Sequence, residues 1–486
     1  MLKVEEIKTF IDNDAASIKK RLAKEGLAYY EGDHDIKNYR VFFIDADGNV
    51  QEDKLKSNIK ISHAFFTELV DQQVQYMLSG KGGFIKSDTP ELQTELDAYF
   101  NENEDFVSEL YELLTGAIGK GFEYMHAYKN AEGKTAFQWA DSIGVIEVRE
   151  KETDDGCAYV IYWYIDRIGK DNKKIKRIQV WDSKQVFFYV QEEDGKIQTD
   201  ESEKINPRPH ITYKKDGDEA IYYEDFGMIP FFRLDNCKKQ FSGLKPIKQI
   251  IDDYDLMSCG LSNNIQDSNE VLYVVKGFDG DNLDELQLNT RTKKLVGVGE
   301  DGDVEIRTID IPVDARKTKL ELDEKNIYRF GMGFNSAQLG DGNITNIVIK
   351  SRYALLDLKA NKLEIRLKQF MRKLLKVVLK EINDLNGTDY QMKDVYFDFE
   401  REVITNAADN AQIELVQAQT EQTRITTLLN VAAQLGDELL AQQLFDVLDL
   451  DYEEWKDKLP KPEEDDPYAD MNGAIDANIT GGGVIE

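Results

Sequence analysis

Cysteine is scarce in this chain: 486 residues hold three, Cys157, Cys237 and Cys259, far apart and odd in number. No disulfide framework or CxxC zinc site follows from them, and so few thiols suit a reducing compartment. Histidine is almost as rare, with four residues scattered at 34, 63, 126 and 210. None sits in an HExxH or HxH pattern, so no metal and no catalytic constellation is expected. No run of about 18 apolar residues occurs, so no transmembrane helix is expected. The opening MLKVEEIKTFIDND has no apolar stretch of the secretory kind, and a soluble cytoplasmic chain is the expectation. Positive charge is in deficit: 61 Lys and Arg face 92 Asp and Glu, for a net charge of −31. That excludes a nucleic-acid binder working over its whole surface, because phosphate binding rests on Lys and Arg. It also excludes docking on anionic membranes.

What is present is a folding chain. Hydrophobic residues make up 41%, including 23 Tyr and 23 Phe, too many for wholesale disorder. The length suggests roughly three domains. Periodicity predicts a helix over 1–35, a small hairpin around Val41–Val50, and helices over 60–79, 91–100 and 105–119. From Gly121 to Phe232 the pattern becomes strands rich in Tyr, Val and Ile. The order predicts an α+β chain with mostly antiparallel strands. A helix follows Pro246, with Ile247, Ile251, Tyr254, Leu261 and Ile265 on one face. Short strands are expected over 271–276, 294–298 and 304–309, then a helix capped by Asp314. Residues 331–346, GMGFNSAQLGDGNITN, read as a loop. The longest helix follows over 347–385, with Leu356, Leu363, Leu367, Phe370, Leu374, Val378, Ile382 and Leu385 in its stripe. Residues 406–434 and 437–448 read as helical. Residues 461–486 carry one Lys, seven acids and a GGG, and read as disordered.

Familiar catalytic motifs are missing or incomplete. There is no GxxxxGK[ST] loop. Gly297-Val-Gly299-Glu-Asp-Gly302 matches GxGxxG, but a β-like segment follows it and two acids would repel a pyrophosphate, so it reads as a hairpin turn. Asp225-Phe226-Gly227 lacks every other kinase element. Asp45-Ala-Asp47-Gly-Asn49 lacks the glycine and glutamate of a calcium loop, and reads as a β-turn. No cofactor is expected, and no enzyme. The local exception to the acidity is residues 341–380, with ten Lys and Arg against Asp341, Asp357 and Glu364. That segment is +7 and the rest of the chain −38. It reads either as a solvated face, or one pairing with a neighbouring subunit's acids, or as a basic belt that meets nucleic acid.

Several stretches, in order, resemble the portal proteins of tailed bacteriophages, of the siphovirus type of Gram-positive hosts. Residues 229–277 carry Pro230, Asn236, Ile251-Asp252, Tyr254-Asp255 and Ser258, like the family's strand, asparagine and helix. VDQQVQYMLSGK (70–81) is similar to its early helix, and GKGFEYMHAY (119–128) to its glycine-led strand. LGDGNITNIVIKSRYALLDLKANKLE (339–364) is similar to its loop leading into a long helix. FDFEREVITNAADNAQ (397–412) is similar to the strand before its final helices.

The resemblance implies a portal-protein fold assembled as a ring, usually of twelve. It implies a mixed α/β wing over 1–243, stem helices over 244–269 and 314–334, and a small clip over 270–313. A tunnel loop would cover 335–348, the long helix and return to the wing 349–402, a helical crown 403–460 and an acidic tail 461–486. Gly340, Asp341, Gly342, Asn343, Thr345 and Asn346 would face DNA in the channel, with Lys350 and Arg352 close behind. Arg291, Lys293, Lys294, Val304, Ile306 and Ile309 would dock partners at the clip. The stem would pack through Ile247, Ile251, Tyr254, Leu261 and Ile265. The implied partners are further copies of the chain, the terminase large subunit, the head–tail adaptor, scaffolding and major capsid proteins, and passing double-stranded DNA, with no membrane. The implied location is the capsid portal vertex, with the host cytoplasm during assembly. The rival readings are a capsid or tail scaffold without a channel, and an acidic enzyme of unrecognised type.

Overall fold

The computed structural model describes residues 1–456 apart from 46, 55, 81, 152–155, 169–172, 193–194, 215–220, 268–271, 279–297, 308–311, 336–345, 403–406, 433–435, 449, 451 and 453–455. Two helices open the chain where one was expected. α1 (Val4–Ala15) and α2 (Ile18–Tyr30) part because Ser17 takes extended backbone and its side chain accepts from Lys20 N, an N-cap that starts a second helix. The hairpin follows as β1 (Phe42–Ile44) and β2 (Val50–Glu52).

The helix expected from residue 60 begins only at α3 (Phe65–Met77). Residues 57–61 lie instead along α6 (Lys248–Asp267). The amides of Ser57, Ile59 and Ile61 donate to Asp267, Asn263 and the Cys259 thiol. Those donors are committed to α6 and the helix must start later. α4 (Pro90–Leu96) opens on proline, which suits a first helical position. α5 (Glu104–Lys120) is capped by Asn103, whose side chain accepts from Phe106 N.

Every strand pair among the described residues is antiparallel. β4 (Phe122–Lys129) is the centre of a three-stranded sheet between β14 (Phe231–Asp235) and β5 (Thr135–Ala140). β6 (Val145–Val148), β7 (Tyr159–Ile168), β8 (Lys173–Trp181) and β9 (Gln185–Glu192) form a meander, with β10 (Gln198–Thr199) and β11 (Arg208–Pro209) both on β9. Consecutive strands of the meander pair with each other, and their alternation of buried and exposed residues is why they read clearly from the sequence. β12 (Ile211–Lys214) and β13 (Ile221–Glu224) pair by themselves, and β3 (Ile85–Lys86) pairs with a strand at Tyr396–Phe397 far along the chain.

Burial follows the periodicities. Ile7 and Ile11 of α1 cover Ile161, Ile178 and Val180 of the meander. The larger core gathers α3, α5 and the three-stranded sheet around the long helix. Lys20 is buried and satisfied: its ammonium donates to the carbonyls of Ser142, Ile143 and Val145 and pairs with Asp14 at 3.0 Å. It ties α2 to the β5–β6 turn.

The chain divides into two compact units at Ile404. The second holds two packed helices, Ala407–Asn430 and Asp437–Val447. The expected acidic tail, 461–486, lies outside the described residues.

Candidate functional site: a helix pair, a ribbon and a cationic helix

α6 packs along α7 (Val313–Gly331). Asp314 does not cap α7. The N-cap position is Pro312, and Asp314 sits inside the first turn, where its charge favours the helix dipole. Between the helices, the Lys319 ammonium of α7 bridges Asp253 of α6 and Asp323 of its own helix. Ile247 and Ile251 are buried against the main core, along with Ile327 of α7. Tyr254 is half-buried and meets Phe65 edge-on at 4.8 Å. Leu261 is half-buried and Ile265 is 53% exposed. Within one subunit the buried face of α6 runs instead through Ile251, Asp255 and Cys259.

Asp255 stands in the family-like Tyr254-Asp255 pair, but its burial and its partners could not be read from the sequence. It has no exposed side-chain surface, yet it is fully partnered. His34 Nδ1 lies 2.6 Å from one carboxylate oxygen, and His63 Nδ1 and N lie 2.7 and 3.0 Å from the other. Burial pushes this carboxyl up, but the hydrogen bonds from the two histidines outweigh it and hold Asp255 below the ordinary aspartate value. The His34 ring also stacks on Tyr29 at 4.4 Å. The contacts span 221 and 192 positions, so no local pattern reveals them. The available signal was an aspartate on the apolar face of a helix, two helical repeats between Ile251 and Cys259. Among the described residues no group of three His, Cys, Asp or Glu could hold a metal.

From α6 the chain leaves through β15 (Leu272–Phe278), which pairs with β16 (Val298–Arg307). Val304 stands opposite Val275 and Ile306 opposite Tyr273. Arg291, Lys293, Lys294 and Ile309 lie outside the described residues. The GxGxxG segment is not the hairpin turn expected of it. Phe278 pairs with Val298 and Lys276 with Asp303, so residues 299–302 bulge out of a single strand. Gly302 permits this: a Cβ there would meet Val298 Cβ at 2.6 Å and Lys276 O at 2.9 Å.

At the other end, α7 stops against α3. Gln72 donates to Phe334 O at 2.7 Å and accepts from Phe334 N at 3.0 Å. The Phe334 ring stacks on Tyr353 at 4.9 Å and 20°. Tyr353 in turn tilts against Tyr76. Residues 334 and 353 thus clamp the two ends of the expected tunnel loop. Gly340, Asp341, Gly342, Asn343 and Thr345 lie outside the described residues. Asn346 opens α8 (Asn346–Asn386), Lys350 is exposed, and Arg352 lies in the turn after it.

α8 has 41 residues, roughly 60 Å of helix. Its apolar stripe is buried from Leu356 to Ile382, while Leu385 is 67% exposed in the final turn. Gly387, at φ +67°, ends the helix. The basic residues fall in two groups. Lys368 pairs with Glu364 at 2.7 Å, and Arg372 lies over Phe397. Lys359, Lys362, Arg366, Lys373, Lys376 and Lys380, at intervals of three, four, seven, three and four, lie along one face. None of these six pairs with a carboxylate among the described residues. Burial pushes the half-buried Lys359 down to about 8. The local acids Asp357 and Glu364 are taken by Arg401.

The chain therefore combines two packed helices around a β-ribbon, the Phe334–Tyr353 stack and a long basic helix. The phage portal protein family, SPP1 Gp6-like, matches it over residues 8–457. The chain belongs to that family. It is 29% identical to the portal protein of Bacillus phage SPP1 over 429 residues, covering 86% of this chain and 82% of the relative. It is 26% identical to the portal protein of Clostridium phage phiCD119 over 433 residues, covering 85% and 89%. Portal proteins are structural components of phages rather than enzymes, so the siphovirus-type resemblance and the non-catalytic reading both hold. The alternative of a channel-less scaffold is not favoured. No described helix is long and apolar enough to cross a membrane.

Proposed function

We propose that this portal protein closes into a ring of about twelve copies at one capsid vertex, around a channel for DNA entering during packaging and leaving during ejection. The observation that carries this reading is the order of parts within the family match: a packed helix pair, a ribbon between its members, the Phe334–Tyr353 stack, then the long basic helix. In this reading residues 1–243 are the wing, 244–269 and 314–334 the stem, and 270–313 the clip. Residues 335–348 are the tunnel loop, 349–402 the return to the wing, 403–460 the crown and 461–486 an acidic tail. Stem helices set the rotation between copies, and a head-to-tail contact makes a closed ring when that rotation closes.

The clip docks the terminase large subunit during packaging and the head–tail adaptor afterwards. Scaffolding and major capsid proteins meet the ring while it is built in the host cytoplasm. A chain of net charge −31 suits a conduit, since a wall that bound phosphates tightly would stall the duplex. The loop residues and the nearby Lys350 and Arg352 supply the few groups that touch DNA.

Imaging of the purified particle along its axis tests the ring: a central hole is expected, and a compact particle without one would refute it. Lys350→Ala with Arg352→Ala tests the channel: rings should form, while packaging or retention of DNA falls. Normal filling and retention in intact rings would remove the DNA contact. Replacing Val304–Ile309 with a Gly-Ser linker tests the clip: rings should form without docking the motor, and wild-type packaging would refute that assignment.

A further inference from the structure

The six cations of α8 pair with no carboxylate among the described residues of their own subunit, and the residues among them narrow what could supply one. Leu355, Leu358 and Ile365 stand 42, 49 and 63% exposed on the same helix. A phosphate backbone offers such side chains no apolar surface, whereas a protein face covers both the aliphatic groups and the ammonium stems. The cations fall at intervals of three, four, seven, three and four residues from 359 to 380, so they keep to one face over roughly 32 Å of helix and form a seam suited to a facing helix.

The complementary surface is present on the same chain. On α5 and just before it, Glu102, Asp105, Glu109 and Glu112 recur at intervals of three, four and three. Glu102, Asp105 and Glu112 are exposed. No described cation pairs with any of the four, and Glu109 makes only a backbone contact, accepting from Trp139 N. Among the described residues no ion pair joins these acids to the α8 cations within the subunit. One row of charge therefore lies at one place on the molecule and its complement at another. That is the pattern of a heterologous contact, in which one copy's first face meets the next copy's second face.

We propose that the cationic row of α8 docks on the acidic row of α5 in a neighbouring copy of this chain, so that the basic helix serves assembly over the stretch 359–380. The proposal rests on the ring reading and names the surface that would close the ring. Rim charges of this kind act through steering and register, and salt weakens them.

The test uses the full chain, followed by light scattering and sedimentation at low salt. Lys373→Glu with Lys376→Glu, and separately Asp105→Lys with Glu112→Lys, should each raise the concentration needed for half-assembly about tenfold or more. All four changes together should bring it back to within about threefold of the unaltered chain. Lys373→Gln with Lys376→Gln should shift assembly in the same direction with an unaltered melting transition, which separates lost charge from misfolding. If both reversed pairs assemble like the unaltered chain, the docking is overturned and the ring reading stands. If the fourfold variant does not recover, α5 is not the occupant and the proposal fails. If the α8 variants assemble normally but retain less DNA, the row serves the duplex instead, and the proposal again fails. An unaltered chain that stays monomeric at every concentration overturns the ring reading and this docking with it.

Discussion

α6 and α8 both carry many charges, and they dispose of them in opposite ways. On α6, Asp252 meets Lys248 at 2.8 Å, Asp253 meets Lys319, and Asp255 meets two histidines. On α8 a row of six cations meets no described carboxylate. Charge that is satisfied inside a subunit holds that subunit together, because an uncompensated charge in a core is costly. Charge left unpaired at a surface costs its subunit little and remains available to another molecule. The contrast separates charges that maintain the fold of a subunit from charges that no described carboxylate of that subunit takes up.

Removing the satisfied charge should have the largest effect. Asp255→Ala leaves His34 and His63 buried or half-buried without their acceptor. It should destabilise the first unit by about 3–5 kcal/mol, read as a lowered urea midpoint for the unfolding of the full chain. A change below about 1 kcal/mol would mean that the network does not anchor α6.

Proton binding extends the comparison to the core of the wing. Burial raises Glu123, on β4, to about 7, against the opposing pull of Lys120. A carboxyl raised in the folded state contributes stability below the unfolded value of 4.5, and that contribution is lost as pH rises through 7. Burial lowers the neighbouring His126, packed between Trp181 and Phe231, to about 3. A histidine lowered in this way contributes stability above 6.5, and that contribution is lost as pH falls. The two oppose each other between about 4.5 and 6.5, so the net dependence there should be shallow. Above pH 6.5 the Glu123 loss stands alone. Glu123→Gln should flatten the decline between pH 6.5 and 8, and His126→Gln should weaken the decline on the acid side. Melting curves across pH check both, and an unchanged slope in either variant removes that assignment.

A smaller effect is expected at the loop base. Phe334→Leu keeps an apolar side chain but loses the stack on Tyr353, at a cost of about 1 kcal/mol. Limited proteolysis should show faster cutting within 336–345 while global unfolding barely moves. Equal cutting rates would mean that the clamp rests on Gln72 alone. The smallest effect belongs to the unpaired row: Lys362→Gln or Lys380→Gln should change the stability of the isolated subunit by less than about 0.5 kcal/mol. A larger loss would mean that these lysines are satisfied within the subunit, and the contrast between the helices would collapse.

The elements were largely legible because their causes are local. Alternation over 122–232 marks the meander and three-stranded sheet, and the stripe from Leu356 to Ile382 marks α8, since burial on one face imposes period two or period 3.6. The ordered portal motifs were equally legible, and the family match over 8–457 agrees with them. Errors arose where a distant group used a local donor. Residues 57–61 could not begin α3 because α6 takes their amides. The GxGxxG segment became a bulge because β15 pairs on both sides of it.

By itself, the sequence determined the acidity of the chain, the reach of its longest helix, the single basic stretch at 341–380 and the α+β order of its parts. These follow from composition and from neighbours a few positions away. Only the tertiary structure decided which charges are satisfied. Arg401 takes Asp357 and Glu364 from 44 and 37 positions away, and His34 reaches Asp255 across 221. An ion pair depends on distances of a few ångströms between chain segments whose separation in sequence sets no distance in space. The division of α8's cations into paired and unpaired could therefore be read only once the chain was folded.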